Sequence, residues 1–135
     1  MQRFRTLAVA IAACAAVVSC RGGEQGSALD PALRLTGAGL RENEGRTYVG
    51  SPTVTDSARL DSLHALLRDG GWERMELPSP NYTYAVKLWR DSTAVGILSV
   101  GPEYMFVLPL TSSPVPTLRR IAPRERQMLD RWFGL

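Results

Sequence analysis

One histidine, two cysteines and a single lysine leave this chain short of the side chains that most metal and redox sites use. His64, Cys14 and Cys20 offer little from which to build a structural zinc site. Motifs that carry chemistry are missing as well: there is no nucleophile elbow, P-loop, GxGxxG, HExxH or Ca²⁺-binding loop, and no cofactor is implied. No apolar run reaches the ~20 residues that a membrane-spanning helix needs. Internal repeats are absent. Fifteen of the sixteen basic residues are arginine, which codon bias in a GC-rich genome explains more simply than phosphate recognition does.

What is present begins at the N-terminus. Arg3 and Arg5 form a positive segment, Thr6 to Val18 is an uncharged run, and Val17-Val18-Ser19-Cys20 closes it. That order is the layout of a secretory signal peptide. Thirteen residues in a helix reach only ~20 Å against a hydrocarbon core of about 30 Å, and Arg21 and Glu24 follow at once, so a spanning helix is excluded. The first twenty residues resemble a bacterial lipoprotein signal peptide, with Val17-Val18-Ser19-Cys20 as the lipobox. The resemblance implies diacylglycerol transfer to the Cys20 thiol, cleavage before Cys20, and a membrane partner held through that lipid. Ile11-Ala12-Ala13-Cys14 fits the box too, but leaves only about five apolar residues before it, short of the usual 7–15. Cys20 is therefore the expected lipidation site. Arg21, where an Asp would retain the protein at the inner membrane, implies an outer-membrane position facing the periplasm in a Gram-negative source.

Loss of residues 1–19 removes Arg3 and Arg5 and leaves 14 basic against 13 acidic residues. A net charge so near zero gives no support to nucleic-acid binding. Cys20 would be the one remaining cysteine, so the mature chain can form no internal disulfide. Residues 20–46 are rich in Gly, Glu, Arg and Ala with scattered leucines, and read as a lipidated cysteine followed by a flexible tether. A competing reading makes Leu33 to Leu35 a short edge strand.

Residues 47–135 read as one small α+β domain. Thr47 to Thr55 is extended, limited by Pro52 to an edge or bulged strand. Asp56 caps a helix with Leu60, Leu63, Leu66 and Leu67 at helical spacing, and Gly70-Gly71 ends it. Strand-like runs follow at Trp72 to Leu77, Tyr82 to Arg90, Thr93 to Val100 and Glu103 to Leu110, joined by turns at Asp91-Ser92 and Gly101-Pro102. Thr111 to Thr117 reads as a loop, and Pro123 opens a last helix carrying Met128, Leu129, Trp132 and Phe133. The expected fold is a two-layer sandwich: an antiparallel meander of three to five strands packed against two helices.

Ser57, Asp61 and His64 are triad residue types, but about 10 Å of helix axis separates Ser57 from His64, and a partly buried structural histidine is the better account. Glu73 and Glu76 fall on opposite faces of a strand and form no carboxylate pair. No catalytic or metal-binding residue is assigned. Two surface features remain: Trp89, on the strand face opposite Tyr82, Val86 and Leu88, and the arginines Arg119, Arg120, Arg124, Arg126 and Arg131 around the last helix. Packing of Trp89 against a neighbour, and an ordinary solvated helix face, are the plainer explanations of each. The favoured function is a membrane-anchored envelope lipoprotein with a non-catalytic binding or structural role, its partner an envelope protein or peptidoglycan. The alternative is an enzyme whose site is assembled from dispersed polar residues.

Overall fold

The computed structural model describes residues 26–48, 52–76, 80–111 and 115–135. The signal peptide, the lipobox and Cys20 lie outside those residues. Among the described residues the chain forms strands β1 (Gly37–Asn43) and β2 (Arg46–Thr47), helix α1 (Ser57–Arg68), strands β3 (Glu73–Arg74), β4 (Tyr84–Arg90), β5 (Thr93–Val100), β6 (Tyr104–Pro109) and β7 (Thr117–Arg120), and helix α2 (Pro123–Trp132). The strands make one open sheet in the order β2-β1-β4-β5-β6-β7-β3, every neighbour antiparallel. The class is α+β. The expected runs at 82–90, 93–100 and 103–110 form the meander β4-β5-β6, the expected run at 72–77 shortens to β3 at the far edge beside an unexpected β7, and seven strands exceed the expected three to five.

Local chemistry sets the helix ends and the turns. Asp56 accepts a hydrogen bond from the Arg59 N–H at 3.1 Å, satisfying one of the free amides of the first turn of α1. Gly71, with φ of +95°, takes the left-handed turn after the helix. Pro123 opens α2, where the Ala122 N–H donates to the Glu125 carboxylate at 2.9 Å. A two-residue hairpin joins β1 to β2 through Glu44 and Gly45, both with positive φ, which matches the right-handed twist of the strands.

Alternation then assigns the two sheet faces. Tyr84, Val86 and Leu88 of β4 lie beside Leu98 and Val100 of β5, which lie beside Val107 and Met105 of β6. All seven are fully buried and share one hydrophobic cluster with Leu60, Leu63, Leu66 and Leu67 of α1, Leu129 of α2 and the adjoining Phe133. Both helices therefore cover the same face. Trp72, 1% exposed, fills the space below α1 and donates its indole N–H to the Leu66 carbonyl at 3.3 Å.

The boundary between tether and domain moves toward the N-terminus. The sequence reads residues 20–46 as tether, whereas in the structure β1 is an interior strand between β2 and β4, and Leu35 and Ala38 belong to the core. Residues 26–36 are fastened to three elements. The Ser27 N–H donates to the Leu67 carbonyl at 2.8 Å, the Ala28 N–H to Thr117 Oγ1 at 2.8 Å, and the Thr36 N–H to the Trp89 carbonyl at 2.8 Å. Leu29 and Leu33 pack against the core. The sequence hid β1 because GAGLREN has no apolar alternation. Gly37 is required by a close crossing, since a Cβ there would sit 2.6 Å from Pro52 Cβ. Thr47 to Thr55 is correspondingly less regular than expected: β2 ends at Thr47, and Val54 makes an isolated bridge to Ala38.

Two outcomes follow from this boundary. Leu35→Ala should lower stability by about 2–5 kcal/mol, the range for truncating a buried leucine, measured by chemical denaturation. A chain beginning at residue 47 should show no cooperative melt by circular dichroism, while one beginning at residue 26 should melt cooperatively. Equal melts for the two chains would return residues 26–46 to the role of a passive tether.

Candidate functional site

The sheet face turned away from the helices carries Gly37 and Gly39 of β1, Ala85, Lys87 and Trp89 of β4, Ile97 and Ser99 of β5, Tyr104, Phe106 and Leu108 of β6, and Leu118 and Arg120 of β7. Trp89 is on this side, as alternation predicts, and is half-buried. Lys87 Nζ stands 5.1 Å from the centroid of its ring. Gly39, Tyr48, Lys87 and Trp89 surround a hollow of about 280 Å³ at the β1 side of the face. At the far end of β4, Tyr82 packs edge-on against Phe106 with centroids 5.7 Å apart, and its hydroxyl donates to Glu42 at 3.2 Å.

No helix lies over this face among the described residues, yet it is strongly apolar. Ile97 and Phe106 are 9% and 8% exposed and are not members of the main core cluster. Phe106 is covered in part by Tyr82, which packs edge-on against it. Sequence reasoning found Trp89 but missed Ile97, Phe106, Leu108 and Tyr48. The signal was available in β5 and β6: ILSV and YMFVLP are nearly continuous apolar runs, the pattern of strands covered on both sides.

The five arginines do not form one patch. Arg119 points to the helix side of β7, where its guanidinium sits 5.6 Å from the Trp72 centroid and forms a two-pronged pair with Glu125, at 2.7 and 3.3 Å. Arg126 pairs with Asp130 at 2.9 Å, donates to the Gly101 carbonyl at 2.7 Å, and lies over the Tyr84 ring. Tyr84 donates its hydroxyl to the same Asp130 carboxylate at 2.8 Å, and burial followed by that bond raises its phenol above the ordinary tyrosine range. These two arginines fasten α2 to the sheet. Of the remainder, Arg120 is exposed on the open face over Tyr104, whereas Arg124 and Arg131 are exposed on α2, seven residues apart and so on one side, away from Leu129. The sheet separates them.

His64 is structural. Its Nε2 accepts a hydrogen bond from the Leu35 N–H at 3.0 Å, which requires the neutral ring. Burial, then Arg68 and Arg34, hold its pKa below the usual 6.5, against a smaller opposing effect of Asp61. Ser57 and Asp61 are exposed, and Glu73 and Glu76 are exposed at the sheet edge. Among the described residues no three His, Cys, Asp or Glu side chains cluster as metal ligands, and no helix is long and apolar enough to cross a membrane. Comparison of the chain with family models, with curated proteins and with solved structures finds no match in any of the three.

Three measurements check these assignments. The unfolded chain binds a proton at His64 before the folded one does, so stability should fall as pH drops below about 6.5. Denaturation at pH 7.5 and 5 should show that loss, and His64→Gln should remove its share. Trp72→Ala should cost about 3–5 kcal/mol and Trp89→Ala clearly less, because only the first is fully buried; equal losses would make Trp89 core. Arg119→Ala should destabilise toward ~3 kcal/mol by stranding Glu125, while Arg131→Ala should stay within about 0.5 kcal/mol.

Proposed function

We propose that this chain is a lipid-anchored protein of a bacterial cell envelope whose domain binds a protein partner through the open sheet face and carries out no catalysis. The anchor rests on the lipobox ending at Cys20. Each buried CH₂ of an acyl chain contributes about 0.8 kcal/mol, and two or more chains hold a protein at a bilayer stably. The observation that supports binding is the set of half-buried apolar side chains on this face, Trp89, Tyr104 and Leu108, with the cations Lys87 and Arg120 beside them. Aromatic anchors ringed by charge are the composition of protein interfaces, and tryptophan contributes heavily there. The arginines support a competing patch poorly, since two of them are engaged inside the fold and the other three point to opposite sides.

Mass spectrometry of the membrane-bound protein tests the anchor. The expected species begins at an acylated Cys20; processing and acylation at Cys14 in a Cys20→Ser chain would refute the assignment. Photo-crosslinking in intact cells tests the face. A photoreactive residue at position 87 or 108 should give a discrete protein adduct that Trp89→Ala weakens, and one at position 131 should not. No adduct from the open face, or equal adducts from both sides, would refute the binding proposal.

A further inference from the structure

The point at which residues 26–36 are fastened to the domain has a consequence for how it sits on a membrane. Ser27 is tied to the last turn of α1, and Ala28 to the first residue of β7. Strand pairing places the end of β6 and the Asp91-Ser92 hairpin at this same end of the sheet, and the Glu44-Gly45 hairpin and the turn after Gly101 at the other. From Cys20 to Gly26 is six residue steps, which span at most about 20 Å. A domain of this size is about 30 Å across. An acyl-linked Cys20 would lie at the base of a headgroup layer about 5–7 Å deep. Gly26 is then held within about 15 Å of the headgroup surface, so the opposite end of the domain cannot be the one that rests on the bilayer.

That end is built for such a neighbour. Leu110 and Val115, 44% and 41% exposed, are two of the most exposed large apolar residues described. Val115 borders a cleft shared with Gly26, Pro31, Arg68 and Arg74, with no carboxylate lining it among the described residues, while Asp30 and Asp91 are exposed elsewhere at this end. We propose that the domain rests directly on the bilayer through this end, with Leu110 and Val115 entering the headgroup layer and Arg68 and Arg74 facing lipid phosphates. Interfacial apolar groups and basic residues act together in this way at anionic lipid surfaces. The proposal rests on lipidation at Cys20, and it replaces a domain held away from the membrane on a long tether.

The test uses the acylated protein in vesicles of phosphatidylglycerol and phosphatidylethanolamine containing a headgroup-nitroxide lipid. The Cys20 thiol is blocked by its lipid and Cys14 leaves with the signal peptide, so an introduced cysteine is the only free thiol. An environment-sensitive fluorophore is attached to V115C, to T111C as a second site on the same end, and to E44C at the far end. Emission from positions 115 and 111 should shift to the blue and be quenched by the nitroxide lipid, while position 44 should remain water-exposed and unquenched. Equal quenching at all three, or none, in protein whose mass shows acylated Cys20 would overturn the docked orientation and leave the anchor standing. A mass without acyl chains on Cys20 would overturn the anchor and this proposal with it.

Discussion

The hold that α1, β7 and the end of β4 keep on residues 26–36 is the constraint on which the rest of the domain depends. Hydrogen bonds from Ser27, Ala28, Leu35 and Thr36 pin this segment, and Leu29, Leu33 and Leu35 close one end of the core. Without it, Leu67 and the β5 end of the sheet would face water. Gly96 shows how closely the segment is seated: a Cβ there would come within 3.1 Å of the Leu29 side chain. The same segment leads directly into β1, which lies between β2 and β4 and supplies Ala38 to the core. His64 makes part of that hold sensitive to protonation, because an imidazolium cannot accept the Leu35 amide.

Among the described residues both helices cover one face of the sheet and no helix covers the other. A sheet of this width normally alternates apolar and polar residues when one side meets water. Here β1 and β7 follow that rule at the sheet margins, through Glu42 and Arg120, but the central strands do not. Ser99, 5% exposed, is surrounded on this side by Ala85, Ile97 and Phe106. Tyr82 packs edge-on over Phe106 at one end of this face. Trp89, Tyr104 and Leu108 are half-buried on this face, with the cations Lys87 and Arg120 beside them.

The sequence was informative wherever a periodicity ran long enough to be seen. The leucine spacing of α1, the Asp56 cap, Pro123 and the meander from β4 to β6 were all legible, and so was the side of β4 that carries Trp89. The elements that stayed hidden are those whose identity comes from tertiary contact. β1 is built on glycines chosen for a close crossing with Pro52, and β7 is a four-residue strand of which half is arginine. Charge misled for a related reason. Arg119 and Arg126 look like solvated helix-flanking residues in the sequence, yet each has its guanidinium over a buried aromatic ring and a carboxylate within 3 Å. Only the fold places Trp72 and Tyr84 beneath them.

The two proposals constrain each other through strand direction. Trp89 lies near the end of β4, beside the Asp91-Ser92 hairpin, and therefore at the same end of the sheet as Gly26. If that end rests on lipid, the sheet stands away from the bilayer surface and its open face points sideways, with Trp89 at the height of the headgroups. Tryptophan suits that position, since its ring is apolar and its N–H can remain hydrated. A partner covering the face must then approach along the membrane rather than from the aqueous side. This favours partners that are themselves membrane-bound, for which confinement to the same surface raises the effective concentration without any added contact.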